Sequence, residues 1–209
     1  MDFSSMFSVW KNVLLKPKES LTAEAAKADV ALMDGLVPYV LAAVVSAIMF
    51  FLGQLLGLSF GASAMGAAFD VVGALIGAVF VLVAVVVFSL LEAALLWIIA
   101  MALGGKASYA KLYYLLSTFC VPISIITAVV GMIPCLGGLI SLILGIYTLV
   151  LLVIAMKRLY GFDTAKAAIT VIVFFVVLLA IILVLAVVIF GVAVLGALGS
   201  MAAAGTGGL

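Results

Sequence analysis

Glu92 is the residue whose type and setting come nearest to promising chemistry. It is the one ionisable side chain inside a long apolar run, twelve residues before Gly104 and so roughly 18 Å along a helix from that glycine. A charge at that depth in hydrocarbon costs at least a few kcal/mol, and glutamate is too short to reach the headgroups. Glu92 is therefore expected to face a bundle interior and to find a hydrogen-bond partner there. Counted to the same depth on the other apolar runs, the polar groups within its level are Ser46, Ser124, Tyr147 and Thr148. Two uses are open: a proton or cation site in a small permease or channel, or a buried acid that fixes helix packing.

Other chemistries lack their residues. The chain has no histidine, which removes Ser-His pairs, the HExxH zinc helix and histidine general acids or bases. Ser63 has no base near it in sequence. Asp70 and Asp163 fall in loops on opposite sides, not in spans as an intramembrane aspartyl protease would need. Gly104-Gly105-Lys106 lacks the spaced first glycine and the following Ser/Thr of a phosphate loop. Cys120, in a span, and Cys135, in a short loop, form neither a disulfide framework nor a zinc spacing. No catalytic residue, metal or cofactor is expected.

The elements that must position Glu92 follow from composition. Of 209 residues, 70% are hydrophobic and 8% charged, and the mean hydropathy is +1.62. A soluble domain carries about 25% charged residues, so the bilayer is the solvent of this chain. The apolar runs are too long for barrel strands, and backbone groups in lipid must pair within their own segment. The fold class is thus all-α, a polytopic membrane protein with five transmembrane helices. Span 1 covers about Leu36 to Gly57, with Gly53 and Gly57 spaced for close helix contact. Residues 58–70 read as a loop. Span 2, Asp70 to Leu103, would be roughly 50 Å long against about 30 Å of hydrocarbon. It must tilt and project, or break at Gly73/Gly77, with its membrane part nearer 80–103. Span 3 runs from Leu112 to Met132 with a kink expected at Pro122, and Gly131 to Gly138 is a tight turn. Span 4, Leu139 to Met156, carries a small-residue stripe of Gly137, Ser141 and Gly145. Span 5 runs from Ala167 to about Leu195. The domain division is 1–34, 35–196 and a flexible Gly/Ala tail, 197–209.

Sidedness comes from the cations. The nine basic residues are Lys11, Lys16, Lys18, Lys27, Lys106, Lys111, Lys157, Arg158 and Lys166. With five spans, all nine fall on one side, which the positive-inside rule assigns to the cytoplasm; the N-terminus is then cytoplasmic and the C-terminus outside. Lys106, Lys111, Lys157, Arg158 and Lys166 form a basic inner face that contacts anionic lipid headgroups or docks a cytosolic protein. The tyrosines Tyr39, Tyr109, Tyr113, Tyr114 and Tyr160 lie near the expected inner interface, and Tyr147 lies deep. Net charge is +1, so no nucleic-acid partner is expected.

The first 34 residues hold no signal-peptide core. Phe3, Phe7, Trp10 and Leu14 recur at helical spacing, beside Lys11, Lys16 and Lys18, which reads as an amphipathic helix in the membrane interface with those four as anchors. Pro17 ends it, and Ser20 caps a second helix through Glu24, Lys27 and Asp29. An echo is also present: Ile99-Ala100-Met101 precedes Ala110-Lys111 at the spacing with which Ile154-Ala155-Met156 precedes Ala165-Lys166. Spans 2–3 and 4–5 would then be related hairpins.

Several of these residues resemble one family. Trp10, Val13-Leu14, Pro17 and Glu19 look like the entry segment of the Yip-one-type domain of the Ypt-interacting proteins. Gly104-Gly105-Lys106-Ala107-Ser108-Tyr109, followed by a span carrying Pro122, is similar to its Gly-Gly-Lys-x-Ser-aromatic hinge. Lys157-Arg158-Leu159-Tyr160-Gly161, with Ala165 and Ala168, resembles its last inner loop. The resemblance covers roughly residues 7–190. It implies a five-helix membrane domain with a cytoplasmic N-terminus and, from eukaryotic relatives, a Rab-type small GTPase as partner and traffic between endoplasmic reticulum and Golgi. This chain departs from those relatives in lacking their acidic, tyrosine-containing N-terminal motif, and looks more like the compact prokaryotic branch. The expected location is the plasma membrane if prokaryotic, or the endoplasmic reticulum and Golgi if eukaryotic. The expected function is non-enzymatic: membrane organisation, or docking of a cytosolic partner at the basic face. The expected partners are membrane lipids, a cytosolic protein and, as an open alternative, a second copy of the chain.

Overall fold

Long uninterrupted apolar stretches fold as helices here because each backbone group finds its partner four residues away without water. In the computed structural model the backbone is described over 3–57, 70–133 and 136–206, and side chains over 4–57, 70–133 and 136–187. The side chain of Phe3, and Asp2, Ser63, Pro134 and Cys135 entirely, lie outside the described residues. Seven helices are present and no strand among the described residues: α1 Phe3–Leu15, α2 Pro17–Ala26, α3 Leu32–Leu55, α4 Val71–Ala102, α5 Tyr109–Val130, α6 Leu136–Tyr160 and α7 Thr164–Thr206. Five are long and apolar enough to cross a membrane: α3, α4, α5, α6 and α7 over Thr164–Val187. The five expected spans are all found.

Two compact units divide the chain, Met1–Val171 and Ile172–Leu209. In the first, α5 is the central helix, buried from Leu112 to Phe119 and again from Val121 to Ile123. A helix apolar all round belongs in the middle of a bundle. α3 lays Gly35, Pro38, Tyr39, Ala42, Ala43 and Ala47 against it, a helical stripe of mostly small residues. At Gly35 a Cβ would stand 2.8 Å from the Tyr113 ring and 3.0 Å from the Tyr114 backbone, so only glycine permits this crossing. α4 joins through Ser89, Ala93, Leu96 and Ala100, and α6 packs on the other side of α5. The second unit, where described, is the remainder of α7.

Several local expectations need correcting. α2 begins at Pro17 itself, whose fixed φ and missing N–H suit a first helical position. Ser20 is inside it, and the helix stops before Lys27 and Asp29. α4 does not break at Gly73/Gly77, because the Asp70 carboxylate accepts the N–H groups of Val72 and Gly73 and caps it. Gly53 and Gly57 make no close contact; the glycine that does is Gly77, where a Cβ would meet the Phe50 ring at 2.7 Å. Of the stripe on α6 only Gly137 is tight, against the carbonyl of Val130, while Gly145 faces open space.

Candidate functional site

The α4–α5 hinge is built from residues with separate physical jobs. Gly104 adopts φ +88°, a conformation other residues reach only with strain. Its N–H bonds Met101 and that of Gly105 bonds Ala100, the double-bonded helix stop that needs a left-handed residue. Gly105 answers a different demand, since a Cβ there would lie 2.5 Å from the Tyr160 ring. The chain then returns: the Trp97 indole N–H donates to the Ala107 carbonyl at 3.0 Å, and the Tyr109 hydroxyl to that of Leu90 at 2.9 Å. Ser108 caps α5 by accepting the Lys111 N–H. The second hinge repeats the logic, with Gly161 at φ +67° ending α6 and Asp163 accepting the Lys166 N–H at the start of α7.

These two hinges meet. Gly104, Lys106, Ser108, Lys111 and Tyr160 line an open cleft of about 540 Å³. The Lys166 ammonium lies 3.8 Å from where a Gly104 Cβ would be, and over the Phe162 ring at 4.9 Å. All five expected inner-face cations therefore occur at or beside one end of the first unit. Lys157 donates to Thr164 at 2.6 Å. Arg158 and Lys106 are exposed. None of the five forms an ion pair among the described residues; the one such pair is elsewhere. Asp163, the acid on this loop, is spent on capping α7.

A second charged cluster escaped the sequence reading. Glu24, on α2, is only 8% exposed. Its carboxylate accepts the Tyr114 hydroxyl at 2.5 Å and pairs with the Lys27 ammonium at 2.6 Å; Lys27 in turn donates to the Tyr114 oxygen at 3.0 Å. Burial works against the Lys27 charge, but the hydrogen bonds to Glu24 and Tyr114 outweigh it and hold its pKa above 10.5. This triad ties α2 to the central helix. The signal available was slight: Glu24 and Lys27 are three apart on a short polar stretch, and Tyr114 is 90 residues from Glu24.

The anchor residues are divided. Trp10 is 7% exposed, and with Met6 and Val13 it turns toward the protein, whereas Phe7 is 69% exposed and Leu14 half-buried. The inward face of α1 is rotated from the expected one because Met6 and Val13, not Phe7, pack inward. Tyr39, Tyr113 and Tyr114 are likewise core residues. Tyr113 stacks between Tyr39 at 4.9 Å and Tyr109 at 5.9 Å, and bonds Ser89 at 3.0 Å.

Glu92 does not face the interior. It is exposed on the flank of α4, beside the inward stripe Ser89, Ala93, Leu96 and Ala100, and within electrostatic reach of Tyr39 and Cys120. The structure does not gather the polar groups expected around it. Ser124 bonds its own helix at Val121, and Thr148 at Leu144. The Tyr147 hydroxyl crosses to the Leu14 carbonyl at 2.7 Å, satisfying the end of α1. Ser46 is half-buried on α3. The cleft at the hinges does not reach Glu92, nor does a smaller cavity of about 130 Å³ between Trp10, Pro38 and Tyr114. Among the described residues no group of His, Cys, Asp and Glu is placed to hold a metal.

Comparison with curated proteins and with solved structures returns no significant match. The family model of the Yip1 domain, by contrast, matches residues 11–187, a stretch that includes α2, both hinges and the Glu24–Lys27–Tyr114 triad. The chain belongs to the Yip1 domain family.

Proposed function

We propose that this protein is a non-enzymatic membrane scaffold whose two hinges present a basic cytoplasmic surface to an acidic cytosolic protein. The observation that carries this reading is charge without compensation. Lys106, Lys111, Lys157, Arg158 and Lys166 are at or beside one end of the first unit, and none has an acid partner among the described residues. Cations without an acid partner, exposed at Lys106 and Arg158 and half-buried at Lys111, Lys157 and Lys166, add little to stability and can steer and hold an anionic partner. With each of the five apolar helices crossing once, all nine basic residues fall on one side, which the positive-inside rule assigns to the cytoplasm. Yip1-family proteins interact with membranes and with Rab GTPases; a small GTPase is thus one partner class to test.

The test is a photo-crosslinking residue at Arg158 in native membranes, with sidedness read by labelling cysteines placed at either terminus. The expected result is a single cytosolic adduct, lost when Lys106 and Lys157 are changed to glutamate, and termini in opposite compartments. Termini in one compartment, or an adduct indifferent to both reversals, overturns the proposal. Transport through Glu92 finds no support in the geometry, since that carboxylate lies on an outer flank with neither cavity leading to it. Glu92→Gln in proteoliposomes is expected to leave ion flux unchanged.

A further inference from the structure

The cleft at the hinges has more shape than a docking surface requires. Lys106 and Lys111 line one concavity of about 540 Å³, and the Lys166 ammonium stands near Gly104, one of the residues that line it. The concavity is shaped by glycine: Gly104 turns the chain, and Gly105 lets the Tyr160 ring lie against the backbone.

A further feature favours an anion in it. The helix α5 starts at its wall, and a helix start leaves N–H groups without intrahelical carbonyls. Ser108 takes up the N–H of Lys111, leaving those of Tyr109 and Ala110 facing the end of the helix.

We infer that this cleft binds a phosphate monoester, held by the Lys106 and Lys111 ammoniums and the N-terminus of α5, with the Lys166 ammonium close by at Gly104. Ammonium point charges suit a compact dianion with three equivalent oxygens better than a planar carboxylate, which favours the forked guanidinium of arginine. Arg158, the arginine of this face, does not line the cleft. The same chemistry is offered by the headgroup of a phosphatidic-acid-like lipid and by free phosphate. The inference shares the basic face with the docking proposal, but it is read on purified protein without any partner. Failure of one therefore does not imply failure of the other.

The experiment uses the full chain in two settings. In nanodiscs of phosphatidylcholine with a minor share of phosphatidic acid, native mass spectrometry counts the lipids retained. In detergent micelles, inorganic phosphate is titrated while the emission of Trp97 is followed, since its indole bonds Ala107 on the cleft wall. Lys106→Gln combined with Lys111→Gln is expected to weaken binding by about tenfold or more. Arg158→Gln is expected to leave it within about twofold. Lys111→Gln alone is expected to lower affinity about threefold and serves if the double variant fails to fold. Retention of phosphatidic acid alone assigns the site to a lipid headgroup, whereas saturable phosphate binding that displaces the lipid assigns it to the free anion. The inference is overturned if the wild-type protein prefers neither probe. It is equally overturned if Arg158→Gln costs as much as the paired lysine change, or if the folded double variant, or Lys111→Gln in its place, binds like wild type.

Discussion

Two clusters of charge stand within the first unit and are used in opposite ways. At α2, Glu24, Lys27 and Tyr114 satisfy one another, with the glutamate almost fully buried. At the hinges, five cations find no acid among the described residues, and the groups around them shape a cleft. A charge that is paired and desolvated is committed to the fold, because removing either partner strands the other. A charge that is exposed and unpaired leaves stability almost untouched and stays available for binding. The first cluster therefore belongs to the architecture, and the second is where function is to be sought.

The comparison breaks most readily at Glu24. Glu24→Ala leaves the Tyr114 hydroxyl and the Lys27 ammonium without their shared acceptor; Lys27 is exposed and can turn to water, so the cost falls mainly on the buried hydroxyl and is expected to be about 2 kcal/mol. The α1–α2 pair should then loosen from α5. Thermal unfolding in micelles would show the loss, and trypsin would cut after Lys27 faster than in the wild type. Tyr114→Phe is a milder version: it removes one hydroxyl, keeps the ion pair and is expected to cost about 1 kcal/mol. An equal effect from both would mean that the ring's hydrogen bond, not the charge, holds α2 in place.

How much of this was open to a reader of the sequence depended on the range over which the signal is summed. The five spans and the sidedness rest on long runs and on nine cations, and the spans were plain. The hinge glycines and Ser108 were visible as a motif, although Gly105's reason, the Tyr160 ring, was not. Glu24 was invisible because α2 reads as a polar surface turn of helix, and its partner arrives from the middle of the chain. Glu92 misled for the reverse reason. α4 is apolar on every side, so no periodicity tells its inward stripe from its flank. Its acid was assigned to the interior by cost alone, whereas the small residues Ser89, Ala93 and Ala100 decide which face meets α3 and α5. Trp10 shows the same limit on a smaller scale, since four apolar residues at helical spacing mark a face without saying what that face meets.

Titration separates the clusters further. The Lys27 pKa is raised on folding, so its share of stability is complete below 10.5 and is lost only as pH climbs through the higher folded value. Unfolding curves between pH 7 and pH 10 should therefore show no weakening from this triad, with loss beginning above that range. In Glu24→Ala the alkaline loss should start earlier, because the bond that raises the Lys27 value is gone.

The smallest expected effect is the most informative about the second cluster. Lys106→Gln with Lys111→Gln removes two charges from the cleft, yet neither ammonium has a hydrogen-bond or ion-pair partner among the described residues. The melting transition without added anion should therefore move by no more than about 0.5 kcal/mol equivalent. If anything it should rise, since relief of repulsion among Lys106, Lys111 and Lys166 favours the folded chain. A loss near that of Glu24→Ala would show that the hinge cations are bound into the architecture after all, and the division between a committed and an available cluster would not stand. A neutral or stabilising outcome, found together with weaker anion binding, is the signature of residues kept for a ligand at some cost to the fold.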